Sequence, residues 1–193
     1  VSFSPLRIRT SDQGTNQFTV SRFLVPYLMG YKGTAVFADA ADMICLADVA
    51  ELEQQLKDVK NPVGLVKHDY KTRHKVKYVG TDMQSPNVDY ERKNWASLML
   101  MDCENPAWKS VTPKSLNTWS MIDLLKFKFL DDSEITEIPD CWNRLVDEGQ
   151  SIEGAKILHW TAGIPGFKHY ADAPGADLWR KELERTCYPL HTP

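Results

Sequence analysis

The stretch Thr34-Ala-Val-Phe-Ala-Asp39-Ala-Ala-Asp42 constrains this chain most, because a short apolar run ends there in two carboxylates. After Gly33, Thr34 to Ala38 reads as a strand buried on both faces of a parallel sheet, whose carboxyl end is where open α/β sheets bind ligands. Side chains alternate along a straight strand, so acids three residues apart fall on opposite faces. Asp39 and Asp42 converge only if the chain turns between them, and Ala40 and Ala41 leave room for that. Convergent carboxylates are hard oxygen ligands suited to Mg²⁺ or Mn²⁺, which in turn neutralise phosphates. The same acids can serve instead as turn or cap residues before the helix that Asp48 opens, and this segment alone does not choose.

Asp48 and Glu51 match a capping pattern, and Val49, Leu52 and Leu56 share a face, which predicts a helix over about 49–57. Val63 to Val66, Ala96 to Met101 and Lys156 to Trp160 read as further strands. Ser4 to Arg9 reads as a short strand, residues 11–16 as a polar loop, and 17–28 as a helix interrupted near Pro26. Thr112-Pro113 suits a helix start. Asp131 to Ile138 reads as a short helix or turn stopped by Pro139, and Asp177 to Thr186 as a final amphipathic helix with Leu178 and Leu183 inward. Alternating strands and helices predict an α/β fold with a mixed, mainly parallel sheet flanked by helices. The length of 193 residues fits one domain, expected over 1–188, with 189–193 a flexible tail.

With 42% hydrophobic and 25% charged residues, the chain has the composition of an ordinary soluble globular protein. The net charge of -3 gives no general attraction for polyanions, so any nucleic-acid contact must be local. Cys45, Cys103, Cys141 and Cys187 lie far apart with no Cys-x-x-Cys pair, which argues against a zinc knuckle or a dense disulfide scaffold. Reduced thiols in a cytosol are the expectation. No apolar run approaches the ~18 residues that span a bilayer, and the first ten residues lack a signal-peptide core. The first residue is not methionine, so the native start is left open. Lys67-His-Asp-Tyr-Lys-Thr-Arg-His-Lys-Val-Lys77 is the densest positive stretch, expected on an exposed loop. It is either a solvated face or an edge offering Lys67, His68, Arg73 and Lys75 to an anionic acceptor or to phosphates.

Ser21-Arg-Phe-Leu-Val-Pro26, Val36-Phe-Ala-Asp39-Ala-Ala-Asp42-Met and Asp48-Val-Ala-Glu-Leu52 together resemble the core of GT-A glycosyltransferases, especially the glycogenin-like enzymes of glycosyltransferase family 8. Lys67-His-Asp-Tyr70, Glu91 to Leu100, Leu116-Asn117, Leu130-Asp-Asp132, Ile138 to Asn143 and His159-Trp-Thr-Ala-Gly163-Ile-Pro165 extend the likeness, toward a bacterial and viral branch. The resemblance implies a GT-A-like (Rossmann-like) fold, abbreviated at the N-terminus, and a retaining transferase using a nucleotide sugar, commonly a UDP-sugar. It also implies a cytoplasmic protein of a bacterium or of an infected bacterial host. Carried over residue by residue, the metal ligands would be Asp39, Asp42 and His159. Their nitrogen donor favours Mn²⁺ over Mg²⁺.

Arg22 matches a family arginine near the metal carboxylates, able to pair with Asp39 or a phosphate; otherwise it is a helix-surface ion pair. Asn94 and Ser97 match a polar pair beside the donor sugar, or else cap the backbone. Gly163 and Gly166 would let the backbone approach a ligand closely, and Lys168 would reach a phosphate or stay solvated. Trp95, Trp119, Trp142, Trp160 and Trp179 are sugar platforms or core.

The sequence departs from the family in having Asp39-x-x-Asp42 for Asp-x-Asp and Lys114-Ser-Leu-Asn117 for Asp-Gln-Leu-Asn. It also has Ile164-Pro-Gly166 for Lys-Pro-Trp, and a start close to the family's second strand. The catalytic residue is therefore unassigned. A missing or abbreviated start, or a second subunit completing the base pocket, fits the last departure, so a homo-oligomer stays open. The acceptor, whether saccharide, protein or nucleic acid, is not chosen. Two other functions compete: a non-catalytic nucleotide- or glycan-binding descendant of the fold, and a metal-dependent phosphohydrolase, since diacids at strand ends serve several phosphoryl-transfer folds.

Overall fold

The computed structural model describes residues 17–39, 41–58 and 61–187. The strand expected over Ser4 to Arg9, the polar loop at 11–16, the tail at 189–193 and the side chain of Leu56 lie outside the described residues. In chain order the strands are β1 (Thr34–Ala38), β2 (Met43–Cys45), β3 (Val63–Leu65), β4 (Val76–Lys77), β5 (Ser85–Pro86), β6 (Leu98–Asp102), β7 (Ile135–Glu137), β8 (Arg144–Leu145) and β9 (Ile157–His159). The helices are α1 (Gln17–Ser21), α2 (Val25–Leu28), α3 (Ala50–Asp58), α4 (Pro113–Leu116), α5 (Met121–Leu125) and α6 (Ala176–Cys187). They fall into two compact units. The first runs through Ala38 and includes Ala50–Asp69 and Tyr90–Ile138; the second contains Asp39–Val49, Tyr70–Asp89 and the chain from Pro139.

The first unit is built on a mixed sheet of order β1-β6-β3-β7. β6 runs antiparallel to both β1 and β3, and β3 runs parallel to β7, so three strands share a direction and β6 opposes them. β1 pairs only with β6 among the described strands, and Val36 is 45% exposed, which corrects the expectation that β1 is buried on both faces. An edge strand has one neighbour and sheds part of its apolar surface to water. The run that is covered throughout is Leu98-Met-Leu-Met101 in central β6, all fully buried. Helices α2 and α3 pack against β1 and β6. Phe23, Leu65, Met99, Met101, Trp108 and Phe127 form the centre of this core, each large side chain contributing about 1.5–3 kcal/mol by leaving water.

Local rules account for most boundaries. The helix expected over 17–28 breaks at a 3-10 turn, Arg22–Leu24, and Pro26 sits in the first turn of α2, where its missing N–H costs nothing. Thr112 caps α4 in a reciprocal box with Ser115. The strand expected from Ala96 begins at Leu98, after a 3-10 turn at Trp95–Ser97. Asp131 to Ile138 is only half the expected turn or short helix. Asp132–Glu134 makes a 3-10 turn, with Glu134 accepting from the Asp131 N–H, and Ile135–Glu137 then pairs with β3 as β7. β-branched Ile135 and Thr136 suit that pleat.

In the second unit β9 lies between β2, antiparallel to it, and β8, parallel to it. β4 and β5 form a separate antiparallel pair. The core comprises Ile44, Val146, Leu158 and Trp160, with Ile152, Leu178 and Trp179 packed against it. Leu178 thus faces inward as expected, whereas Leu183 is 46% exposed. Five residues along a helix rotate a side chain to roughly 140° from its starting direction, so the two leucines cannot share a face. No helix among the described residues is long and apolar enough to cross a membrane.

Candidate metal centre

β2 and β9 bring together residues distant in sequence. Met43 pairs with His159 across the ladder, and the Trp160 N–H donates to the Asp42 carbonyl at 2.9 Å, which fixes Asp42 beside the end of β9. The chain bends at Ala41 and Asp42, immediately before β2. Asp39, Asp42 and His159 each present a ligand atom within 4.8 Å of the others, and His159 Nε2 lies 3.7 Å from Asp42 Oδ2. His159 is buried and both aspartates are half-buried.

The electrostatics of this cluster follow from its burial. Desolvation alone would raise the Asp42 carboxyl, but the facing His159 imidazole prevails and holds it below the ordinary aspartate value. Burial likewise disfavours a charged His159, yet Asp42, then Asp39 and Asp147, raise it above the usual histidine value. Burial raises Asp147, although the Ala162 N–H donates to its Oδ2 at 2.7 Å. Lys77 is pushed down by burial and partly restored by Asp42, Asp39, Asp147 and Glu148. Burial and these acids raise the phenol of Tyr78, which adopts φ 55. Clustered acids in a desolvated setting repel one another unless cations intervene.

The residues fit a bound cation on two counts. Asp42 Oδ1 is buried and has no hydrogen-bond partner among the described residues, which is rare for a buried carboxylate oxygen. The donor set, two carboxylates and one imidazole, also suits Mn²⁺ better than Ca²⁺ or Mg²⁺.

Asn143, just before β8, stands in the sequence only as the last residue of the Ile138 to Asn143 segment; its Oδ1 lies 3.0 Å from His159 Nδ1, and both side chains are buried. Lys77 and Tyr78, both half-buried, carry no mark in the sequence, since one lysine in a basic run gives no sign of which member will sit among acids. The basic stretch is not uniformly exposed. Arg73 and Lys75 are exposed, Lys67 is half-buried, and His68 is buried, its carbonyl accepting the Trp95 indole N–H at 2.9 Å. The run also divides between the units, with Lys67 and His68 in the first and Arg73 and Lys75 in the second.

Arg22, Asn94 and Ser97 belong to the first unit. Arg22 is buried, donating to the Ala96 carbonyl at 2.7 Å and lying over the Phe37 ring, so it is not a helix-surface group. Asn94 takes a left-handed φ of 63, and its carbonyl accepts from Ser97 Oγ at 2.6 Å. Lys168 is exposed at the start of a 3-10 turn. Trp142 and Trp160 are core residues.

On the side where a Cβ would project, both glycines meet the protein's own rings. A Cβ at Gly163 would sit 2.3 Å from the Tyr170 ring, and one at Gly166 would sit 2.8 Å from Trp179. Tyr170 Oη in turn accepts the Val79 N–H at 3.0 Å. Gly163→Ala should therefore displace Tyr170 and destabilise the protein by about 1–3 kcal/mol. Denaturant titration checks this, and a stability equal to wild type would show that the ring is free to move.

No protein-family model matches the chain. Over 175 residues it is 37% identical to Protein CDI of Arabidopsis thaliana, covering 88% of this chain and 65% of that protein. The chain thus spans just under two thirds of that relative's length. Among solved structures it is similar to the apo form of the bifunctional glycosyltransferase WbbM, with a TM-score of 0.51 and 16% identity over 90% of this chain and 38% of that one. The likeness to WbbM is one of fold: α/β and GT-A-like, with a mixed sheet flanked by helices.

Proposed function

We propose that this protein is a metal-dependent glycosyltransferase that moves a sugar, with retention, from a nucleotide diphosphate sugar to an acceptor. The observation that carries the reading is the convergence of Asp39, Asp42 and His159 within 4.8 Å in a chain with a glycosyltransferase fold. UDP is the nucleotide suggested by the resemblance to family 8, and Mn²⁺ the cation suggested by the mixed oxygen and nitrogen donors.

Asp39, Asp42 and His159 would hold the ion. Bound there, Mn²⁺ would supply positive charge opposite a diphosphate, the charge on which departure of the nucleotide depends. The chain's own residues contribute the frame. The Trp160 N–H pins the Asp42 backbone, and Asp147 holds the turn after β9 through the Ala162 N–H. Lys77 offsets negative charge among the same carboxylates.

Melting curves with Mn²⁺, with UDP and with both test the reading. Mn²⁺ and UDP together should raise the melting temperature beyond either alone, by mass action on the folded state, and a UDP-sugar should be slowly hydrolysed without acceptor. A panel of nucleotide diphosphates that leaves melting unchanged in Mn²⁺ would count against it. Binding without turnover would instead indicate a non-catalytic descendant, and phosphate release from simple esters a phosphohydrolase.

A further inference from the structure

Resting on the metal-site reading above, we infer that Asn143 is the positioning residue of the centre: its side-chain oxygen holds the proton of His159 on Nδ1 and so turns the Nε2 lone pair toward Asp39 and Asp42. The strand register places the two residues together. β8 runs parallel to β9 with Leu145 opposite His159. Asn143 closes the 3-10 turn that leads directly into β8, which brings its side chain to the His159 end of that pairing. The resulting separation between Asn143 Oδ1 and His159 Nδ1 is 3.0 Å. Asn143 and His159 are 1% and 2% exposed, so water does not replace the contact.

The chemistry of this contact is directional. An amide oxygen can only accept a hydrogen bond, so at this distance Nδ1 must carry the hydrogen. A neutral imidazole has one N–H, which leaves Nε2 as the ligand atom, and Nε2 is the nitrogen 3.7 Å from Asp42 Oδ2. Metal-ligating histidines depend on an outer partner of this kind to set tautomer and ring orientation, and losing it typically weakens metal affinity by about 10–100-fold. Without Asn143 the imidazole is free to adopt the Nε2–H form, which presents a hydrogen where a lone pair is needed.

Two measurements on the full chain test this. Nitrogen-15 NMR of the metal-free protein in alkaline buffer, where the imidazole is neutral, should show the His159 proton on Nδ1; a proton on Nε2 would overturn the inference. Mn²⁺ affinity by calorimetry should fall about 10–100-fold in Asn143→Ala and return to near wild type in Asn143→Asp, whose carboxylate accepts the same hydrogen bond. Unchanged affinity in a folded Asn143→Ala would also overturn it. If the alanine variant fails to fold, the tautomer in wild type and in Asn143→Asp decides the question. Failure of the wild type to bind Mn²⁺ would sink the metal reading separately, with the tautomer still reporting on Asn143.

Discussion

Asp42→Asn should remove nearly all of the Mn²⁺-dependent gain in stability while leaving the protein folded. The substitution keeps side-chain size, and the backbone bond from the Trp160 N–H to the Asp42 carbonyl is unaffected. What changes is the proposed ligand. A carboxylate with one buried oxygen that has no hydrogen-bond partner among the described residues becomes a neutral amide, and the imidazole 3.7 Å away loses its opposite charge. Loss of an anionic direct ligand should cost roughly 100-fold or more in affinity, at or above the upper end for outer partners. At a Mn²⁺ concentration a hundred times the wild-type dissociation constant, the wild type gains about 2.7 kcal/mol by linkage, and a 100-fold weaker variant gains about 0.4 kcal/mol. Melting curves with and without Mn²⁺ read this difference directly. An Asp42→Asn protein that responds to Mn²⁺ as the wild type does would mean that Asp42 is not a ligand.

Trp160→Ala should be among the most destabilising substitutions in the second unit. The indole is fully buried against Ile44, Val146 and Leu158, and its Nε1–H donates to the Pro174 carbonyl at 2.9 Å. Truncation opens a large cavity, at about 3–5 kcal/mol, and leaves that carbonyl without its donor, at about a further 1–3 kcal/mol if water cannot reach it. Against a typical total of about 5–15 kcal/mol, the loss is a large fraction. Trp160→Phe retains much of the ring and should lie between the two. Because Trp160 directly follows His159, the alanine variant should also lose its response to Mn²⁺, whereas the phenylalanine variant should keep it. Denaturant titration gives the ordering, and an alanine variant within about 1 kcal/mol of wild type would contradict the packing described here.

Elements governed by neighbours in sequence were readable from the chain itself. The strand at Thr34 to Ala38, the helix expected over about 49–57 and found at Ala50–Asp58, and the Thr112-Pro113 start of α4 follow from patterns within a few residues, although Val49, expected on the inward face of that helix, is 62% exposed. The expectations that needed correction concern what lies across from a segment. Among the described strands β1 has one neighbour and Val36 is left 45% exposed, and β7 exists because Ile135 to Glu137 finds β3 beside it. At Gly163 and Gly166 the sequence gives no sign that Tyr170 and Trp179 lie where a Cβ would project. Asn143 closes the Ile138 to Asn143 segment in the sequence, but nothing there marks it as the partner of His159.

The chain's own order of residues set the α/β alternation, a diacid at a strand exit and a late histidine with glycines after it. Those features are periodic or contiguous, and short-range sterics and solvation suffice to read them. Folding in three dimensions supplied what periodicity cannot: the choice of strand partners. Pairing β2 and β8 with β9 is what sets His159 between Asp42 and Asn143. Lys77 sits half-buried among acids, although the rest of its basic run gives no hint of it. Strand pairing is fixed by long-range packing of whole faces, and a one-residue slip in register would send His159 to the opposite side of the sheet.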